Sequence, residues 1–131
     1  MEVLLKIVTD EERYELLMID YQISEVARLN DVLERNGIDD QDLRRIICGE
    51  FADANGSFLD HGWLQRNGSG RYWPELLFST RSLDSREGLG PMQELVVPEY
   101  SSNFHEYAPG AVEYYFNEHD ESLGPIEAGD A

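Results

Sequence analysis

The segment 50–63 concentrates side chains that bind metals or transfer protons, at the boundary between helical and extended patterning. Its candidates for this chemistry are Glu50, Asp53, Asp60 and His61. Carboxylates and imidazoles ligate divalent cations, and either group acts as a general acid or base when its pKa is suitably shifted. The segment therefore supports one hypothesis, a metal-binding domain or a small metal-dependent enzyme centred on these residues.

The spacing within this segment does not match the calcium loop of an EF-hand. With Asp53 in the first ligand position, Phe58 stands where the turn glycine belongs and Leu64 where the bidentate glutamate belongs. A turn rich in Asn and Asp that ends a helix at Asn55 and Gly56 explains the same residues. This structural interpretation is favoured over a metal site.

Each histidine has an acidic neighbour in sequence, in the pairs Asp60-His61, His105-Glu106 and His119-Asp120. Their spacing matches no zinc motif, so exposed histidines with slightly favoured protonation are the simpler interpretation. Cys48 is the only cysteine and follows two isoleucines, which predicts a buried thiol rather than a nucleophile. The sequence therefore predicts no catalytic residue and no cofactor.

Charge is the strongest feature of the composition. The formal net charge is −17, which repels nucleic acid and anionic lipid and attracts basic partners. After Arg86 the chain contains ten acidic residues and no lysine or arginine. This concentration in one third of the chain favours a functional acidic surface, although solubility or salt adaptation would also explain an excess of carboxylates.

Tyrosines alternate with these acids in the C-terminal third. The predicted partner-binding residues are Glu99, Tyr100, Glu106, Tyr107, Glu113, Tyr115 and Glu118. Aromatic anchors with a carboxylate rim suit the binding of a basic protein surface. The leading hypothesis is a small acidic binding protein without catalytic activity. It would dock a basic partner such as a nuclease, a toxin or a nucleic-acid-binding protein, as an inhibitor, an immunity protein or a nucleic-acid mimic. A structural accessory subunit whose charge serves only solubility is a further alternative.

Two helices are predicted in the first half of the chain. Residues 2–8 alternate as in a β-strand, and Thr9 with Glu12 matches a capping box that begins the first helix. The apolar stripe of this helix consists of Leu16, Ile19, Ile23, Val26, Asn30 and Leu33, and Gly37 ends it. A hairpin over 13–22 is the alternative. The second helix begins near residue 39, and its predicted buried face is Leu43, Ile46, Ile47 and Phe51.

The second half of the chain has extended patterning. Segments 58–66 and 71–80 flank Asn67 and Gly68, the usual residues of a tight β-hairpin turn. Pro74 places the second of these strands at a sheet edge or a bulge. Segment 92–97 is predicted as a short strand that Pro98 ends. Segment 111–117 is predicted as a last strand, with a helix as the alternative.

These elements predict an α+β fold with two N-terminal helices packed on a small, mostly antiparallel sheet built around the central hairpin. A single domain is expected over 1–117, followed by an acidic, disordered tail over 118–131. The apolar runs are too short for a membrane span or a signal peptide. We therefore expect a soluble cytoplasmic protein that binds neither membrane nor nucleic acid directly.

Overall fold

A computed structural model describes residues 5–80, 93–99 and 102–117 of the chain. The elements in these ranges are β1 (Leu5–Thr9), α1 (Glu11–Arg35), α2 (Gln41–His61), β2 (Leu64–Gln65), β3 (Arg71–Tyr72), β4 (Phe78–Ser79), β5 (Gln93–Val97) and α3 (Phe104–Asn117). The fold is α+β, as the sequence predicts. No helix of the described ranges is both long and apolar enough to cross a membrane.

The described strands form two small sheets. In the first, β5 lies between β1 and β4, parallel to β1 and antiparallel to β4. In the second, β2 and β3 pair as an antiparallel hairpin, and Gly68 has a φ of 80° in its turn. The hairpin is therefore confirmed at Asn67 and Gly68. Its strands are shorter than predicted, because 58–61 are helical and Phe78–Ser79 pair with β5 instead.

Helix α1 is continuous over 25 residues, so the alternative hairpin over 13–22 is wrong. Its N-cap is Asp10 and not the predicted Thr9, since the Asp10 carboxylate accepts a hydrogen bond of 3.1 Å from the backbone N–H of Arg13. The helix ends at Arg35 with Asn36 as its C-cap, and Gly37 follows with the predicted left-handed φ, here 86°.

The buried face of α1 is shifted from the predicted stripe. It consists of Tyr14, Met18, Gln22, Ile23, Val26 and Asn30. Ile23, Val26 and Asn30 agree with the prediction, but Leu16 is 60% exposed. The N-terminal half of α1 turns Tyr14 and Met18 inward because Val96 of β5 and Phe104 of α3 pack on that side. The position of these partners is not encoded in the periodicity of α1.

Helix α2 does not end at Asn55 and Gly56 but continues to His61. Its buried residues are Arg44, Cys48, Ala52 and Gly56, each four positions after the last. Three of these are small, so α3 packs closely against α2. A Cβ added to Gly56 would lie 2.9 Å from backbone atoms of both Phe104 and His105. Gly56 therefore serves close helix packing rather than a helix end, and the predicted Asn/Asp-rich turn is wrong.

Cys48 lies in this packed region. Its thiol is fully buried and lies 3.9 Å from the backbone carbonyl oxygen of Val26. Burial raises the pKa of the Cys48 thiol, and the nearby Arg44 only partly opposes this. The predicted burial of the Cys48 thiol is confirmed.

Helix α3 replaces the predicted strand over 111–117. It buries Phe104, Ala108, Ala111 and Val112, and Pro109 lies inside it. The alternation of Val112, Tyr114 and Phe116 resembles a strand, but these residues lie in a helix whose buried side faces α1 and α2. The local alternation favours a strand, but packing against α1 and α2 makes this segment a helix.

Tyr14 links α1 to the segment before β4. Its hydroxyl donates a hydrogen bond of 2.6 Å to the carbonyl oxygen of Leu76. Burial, reinforced by the negative charges of Glu75, Asp60 and Glu11, raises the pKa of Tyr14 to about 12. A tyrosine whose pKa is higher in the folded state contributes stability below its unfolded pKa, and that stability is lost as the pH rises towards the folded pKa.

We expect the substitution Tyr14→Phe to lower the free energy of unfolding by about 1 kcal/mol at pH 7, because it removes a buried hydrogen bond. The ionisation of Tyr14 costs the wild type about 1 kcal/mol by pH 11, and phenylalanine has no such cost. The free energies of unfolding of both proteins, measured with urea at several pH values from 7 to 11, should therefore converge. A constant difference over this range would contradict the raised pKa of Tyr14.

Candidate functional site

The outer face of α2 is apolar and exposed. Leu43, Ile46 and Phe51 are 42%, 56% and 47% exposed, which corrects the prediction that they form the buried face. Ile47 is half-buried and Phe58 is 39% exposed. The prediction was wrong because the larger apolar residues were assigned to the core. The core side is instead the row of smaller residues that lets α3 approach.

Acidic residues are interleaved with this apolar row. Glu50 lies between Ile46 and Phe51 in a row at helical spacing, and Asp53 lies at its edge. Both carboxylates are exposed. We define the outer face of α2 as Leu43, Ile46, Glu50, Phe51, Asp53 and Phe58.

Helix α3 adds acids near this surface. Glu106 and Glu113 are exposed and seven positions apart, so they lie on one side of α3. Glu106 and Asp53 both act electrostatically on His105. Because these two acids act on one histidine, the negative charges of α2 and α3 are on neighbouring surfaces.

The tyrosines of the predicted partner-binding set are placed differently from its acids. Tyr107 and Tyr115 are half-buried and pack against the core, and the Tyr115 hydroxyl accepts a hydrogen bond of 3.2 Å from the Asn30 amide. The negative charge of Glu15, together with burial, raises the pKa of Tyr107. Glu99 is exposed. Tyr100 and Glu118 lie outside the described residues.

Asp60 joins the C-terminal end of α2 to the beginning of α3. Its side chain is fully buried. It accepts hydrogen bonds from the Ser102 hydroxyl at 2.7 Å and from the backbone N–H groups of Phe104 and His105, each at 2.9 Å. The Nδ1 atom of the His105 ring contacts the same carboxylate. Burial alone would raise the pKa of Asp60, but these hydrogen bonds outweigh it and hold the pKa below its ordinary value.

Two histidines meet beside Asp60. The ring centroids of His61 and His105 are 5.5 Å apart, and the His105 side chain is 36% exposed. The hydrogen bond to Asp60 raises the pKa of His105 above its ordinary value; desolvation opposes this, and the charges of Asp60, Glu106 and Asp53 add to it. One potential ligand atom from each of Asp60, His61 and His105 lies within 4.8 Å of the other two.

The segment 50–63 is therefore divided into two regions. Asp60 and His61 belong to the histidine cluster at the end of α2. Glu50 belongs to the outer face. It lies eleven residues before His61, which is about 16 Å along a helix axis. The hypothesis of one site containing both Glu50 and His61 does not fit this geometry.

Sequence reasoning missed the most closely bonded member of the cluster. His105 was paired with its neighbour Glu106, whereas its ring contacts Asp60, 45 positions earlier. No local pattern predicts that contact.

The packing of α2 had a detectable pattern, since Cys48, Ala52 and Gly56 repeat at steps of four. Small residues at that spacing are typical of a close helix contact.

The chain was compared with protein-family models, with curated protein sequences and with solved structures. None of the three comparisons finds a match.

Proposed function

We propose that the protein is a small acidic binding protein and that the outer face of α2 docks a basic partner protein. The observation that carries this proposal is the exposure of Leu43, Ile46 and Phe51 in the middle of an acidic helix. Exposed apolar side chains that lie together with charged residues on one helix face are often found at protein interfaces. Complete burial of such a side chain contributes about 1.5–3 kcal/mol, and these three are roughly half-buried already.

The charge around this face favours a basic occupant. Glu50 and Asp53 lie within it, and the chain as a whole has a net charge of −17. Of the two arginines of α2, Arg44 pairs with Glu34 and Arg45 donates a hydrogen bond to the Asn117 side chain, so both guanidinium groups are directed away from these acids. A second copy of this chain would bring the same acids to the contact, and anionic lipid would also be repelled. A partner segment with apolar residues flanked by lysine or arginine is complementary in both respects.

The test is affinity capture with the full chain, from a lysate of the cells that produce it, using the double variant Ile46→Ser/Phe51→Ser. Leu16→Ser is the matched control, because Leu16 lies on α1 and is about as exposed as Ile46. We expect a basic protein to be retained by the wild type and by Leu16→Ser, to be lost from the double variant, and to elute as the salt concentration rises.

Two outcomes would overturn the proposal. Equal retention of every captured protein by the wild type and the double variant would show that this face binds no partner. The second outcome is a dimer of the wild type that is absent in the double variant, as measured by sedimentation equilibrium. The occupant of this face would then be a second copy of the chain.

The acids of α3 have a separate role in this proposal, which is to speed association. We expect Glu106→Gln/Glu113→Gln to slow the association of the captured partner several-fold at low salt, with little change in dissociation, because exposed charges mainly steer encounter. Surface plasmon resonance at two salt concentrations measures both rates. An unchanged association rate would show that the acids of α3 take no part in binding. Their charge would then serve only solubility.

A further inference from the structure

We propose that His61 and His105 form a binding site for a divalent transition-metal ion of the zinc type, with Asp60 as the positioning residue. The site lies at the junction of α2 and α3, and neither of its two ligands belongs to the outer face of α2. Ile46, a central apolar residue of that face, lies fifteen positions before His61, about 22 Å along a helix axis.

Asp60 determines which nitrogen of His105 is available. The Nδ1 atom of the ring contacts the Asp60 carboxylate, so this nitrogen carries the proton and donates it. The lone pair of the neutral ring is then on Nε2, and the side chain is partly exposed. A carboxylate that holds one ring nitrogen while the other binds a metal is the usual arrangement around histidine ligands.

The backbone makes this arrangement rigid. The same carboxylate accepts hydrogen bonds from the N–H groups of Phe104 and His105, so the ring and the helix that carries it are fixed together. The Asp60 side chain is fully buried and already accepts several hydrogen bonds, which suits a positioning residue better than a metal ligand. Gly56 adds to the rigidity, because it permits the close contact of α2 with the backbone of His105.

The second histidine is close enough to complete a pair of ligands. The rings of His61 and His105 are 5.5 Å apart between centroids, and candidate ligand atoms of the cluster lie within 4.8 Å of one another. Two nitrogens bound to one zinc ion at about 2 Å each lie roughly 3–4 Å apart, so binding requires the exposed His61 ring to turn a nitrogen towards Nε2 of His105. Imidazole nitrogen favours zinc, copper or nickel over calcium and magnesium.

The surroundings favour a cation and leave room for further ligands. Asp53 and Glu106 contribute negative charge at His105. With two protein nitrogens as ligands, the remaining coordination positions are open to water or to a group from a bound molecule.

The experiment is calorimetric titration of the full chain, after treatment with a chelator, with zinc chloride and with calcium chloride. We expect one equivalent of Zn²⁺ to bind with a Kd in the micromolar range and Ca²⁺ to give no binding heat. His61→Gln should weaken Zn²⁺ binding at least about tenfold, while Glu50→Gln, an exposed acid of the outer face of α2, should leave it unchanged. Far-UV circular dichroism verifies that His61→Gln remains folded, as expected for an exposed side chain.

The position of the proton on His105 gives a second readout. In ¹⁵N NMR spectra of the metal-free protein, the His105 ring should have its proton on Nδ1, and Zn²⁺ should shift the Nε2 resonance. Zinc binding that is as tight in His61→Gln as in the wild type would overturn the proposal, as would the absence of binding below about 100 µM.

Discussion

Replacing Asp60 by alanine is expected to lower the free energy of unfolding by about 2–4 kcal/mol, because each partly or fully buried donor left without an acceptor costs about 1–3 kcal/mol. The carboxylate is fully buried and accepts hydrogen bonds from Ser102, Phe104 and His105. Without it, the first backbone N–H groups of α3 lose the side-chain acceptor that caps this helix. The beginning of α3 should detach from the end of α2.

Urea unfolding followed by circular dichroism measures this loss. Asp53→Ala is the matched control, because it removes an exposed acid from the same helix, and we expect its effect to stay within about 0.5 kcal/mol. Asp60→Asn should fall between the two, since an amide keeps one acceptor oxygen. Equal, small effects of Asp60→Ala and Asp53→Ala would show that Asp60 does not hold the two helices together.

The second large effect is expected at Gly56. In an exposed helix, alanine is more favourable than glycine by about 1 kcal/mol. At Gly56 the added Cβ would lie 2.9 Å from backbone atoms of Phe104 and His105, and backbone cannot move aside as the end of a side chain can. We therefore expect Gly56→Ala to destabilise the protein by about 1–3 kcal/mol, the usual cost of overpacking.

Gly49 offers a control in the same helix. A Cβ at Gly49 meets no atom within 4 Å, and its φ is not positive. Gly49→Ala should therefore stabilise the protein by up to about 1 kcal/mol, opposite in sign to Gly56→Ala. Thermal unfolding of the two variants side by side gives the comparison. A stabilising Gly56→Ala would show that α2 and α3 are farther apart than described.

The sequence predicted correctly the helix ends and turns that depend on the backbone geometry of a few neighbouring residues. Gly37 ends α1, Asn67 and Gly68 form a hairpin turn, and Pro98 follows β5, each for a reason of backbone geometry or hydrogen bonding. The α+β class follows from the same reasoning.

The errors arose where contacts distant in sequence determine the outcome. Asn55 and Gly56 resemble a helix end, yet the contact with α3 makes that glycine a packing residue within α2. Ala111 to Asn117 alternates like a strand, yet this segment is helical and packs against α1 and α2. Periodicity identifies apolar residues but cannot say which of two apolar faces of α2 another helix will cover.

The candidate site was predictable only in its components. The acidity and the residues of the outer face are visible in the sequence, but their exposure is not. Asp60 and His61 were recognised as potential ligands, whereas the role of His105 depends on a contact across 45 positions.

The most direct test of the outer face of α2 is photo-crosslinking in the cells that produce the protein. A photoreactive benzoylphenylalanine is introduced in place of Phe51 and, as the control, in place of Leu16. We expect a crosslinked adduct with a basic protein from position 51 and none from position 16. No adduct at position 51, the same adducts from both positions, or an adduct with the mass of two copies of this chain would contradict this expectation.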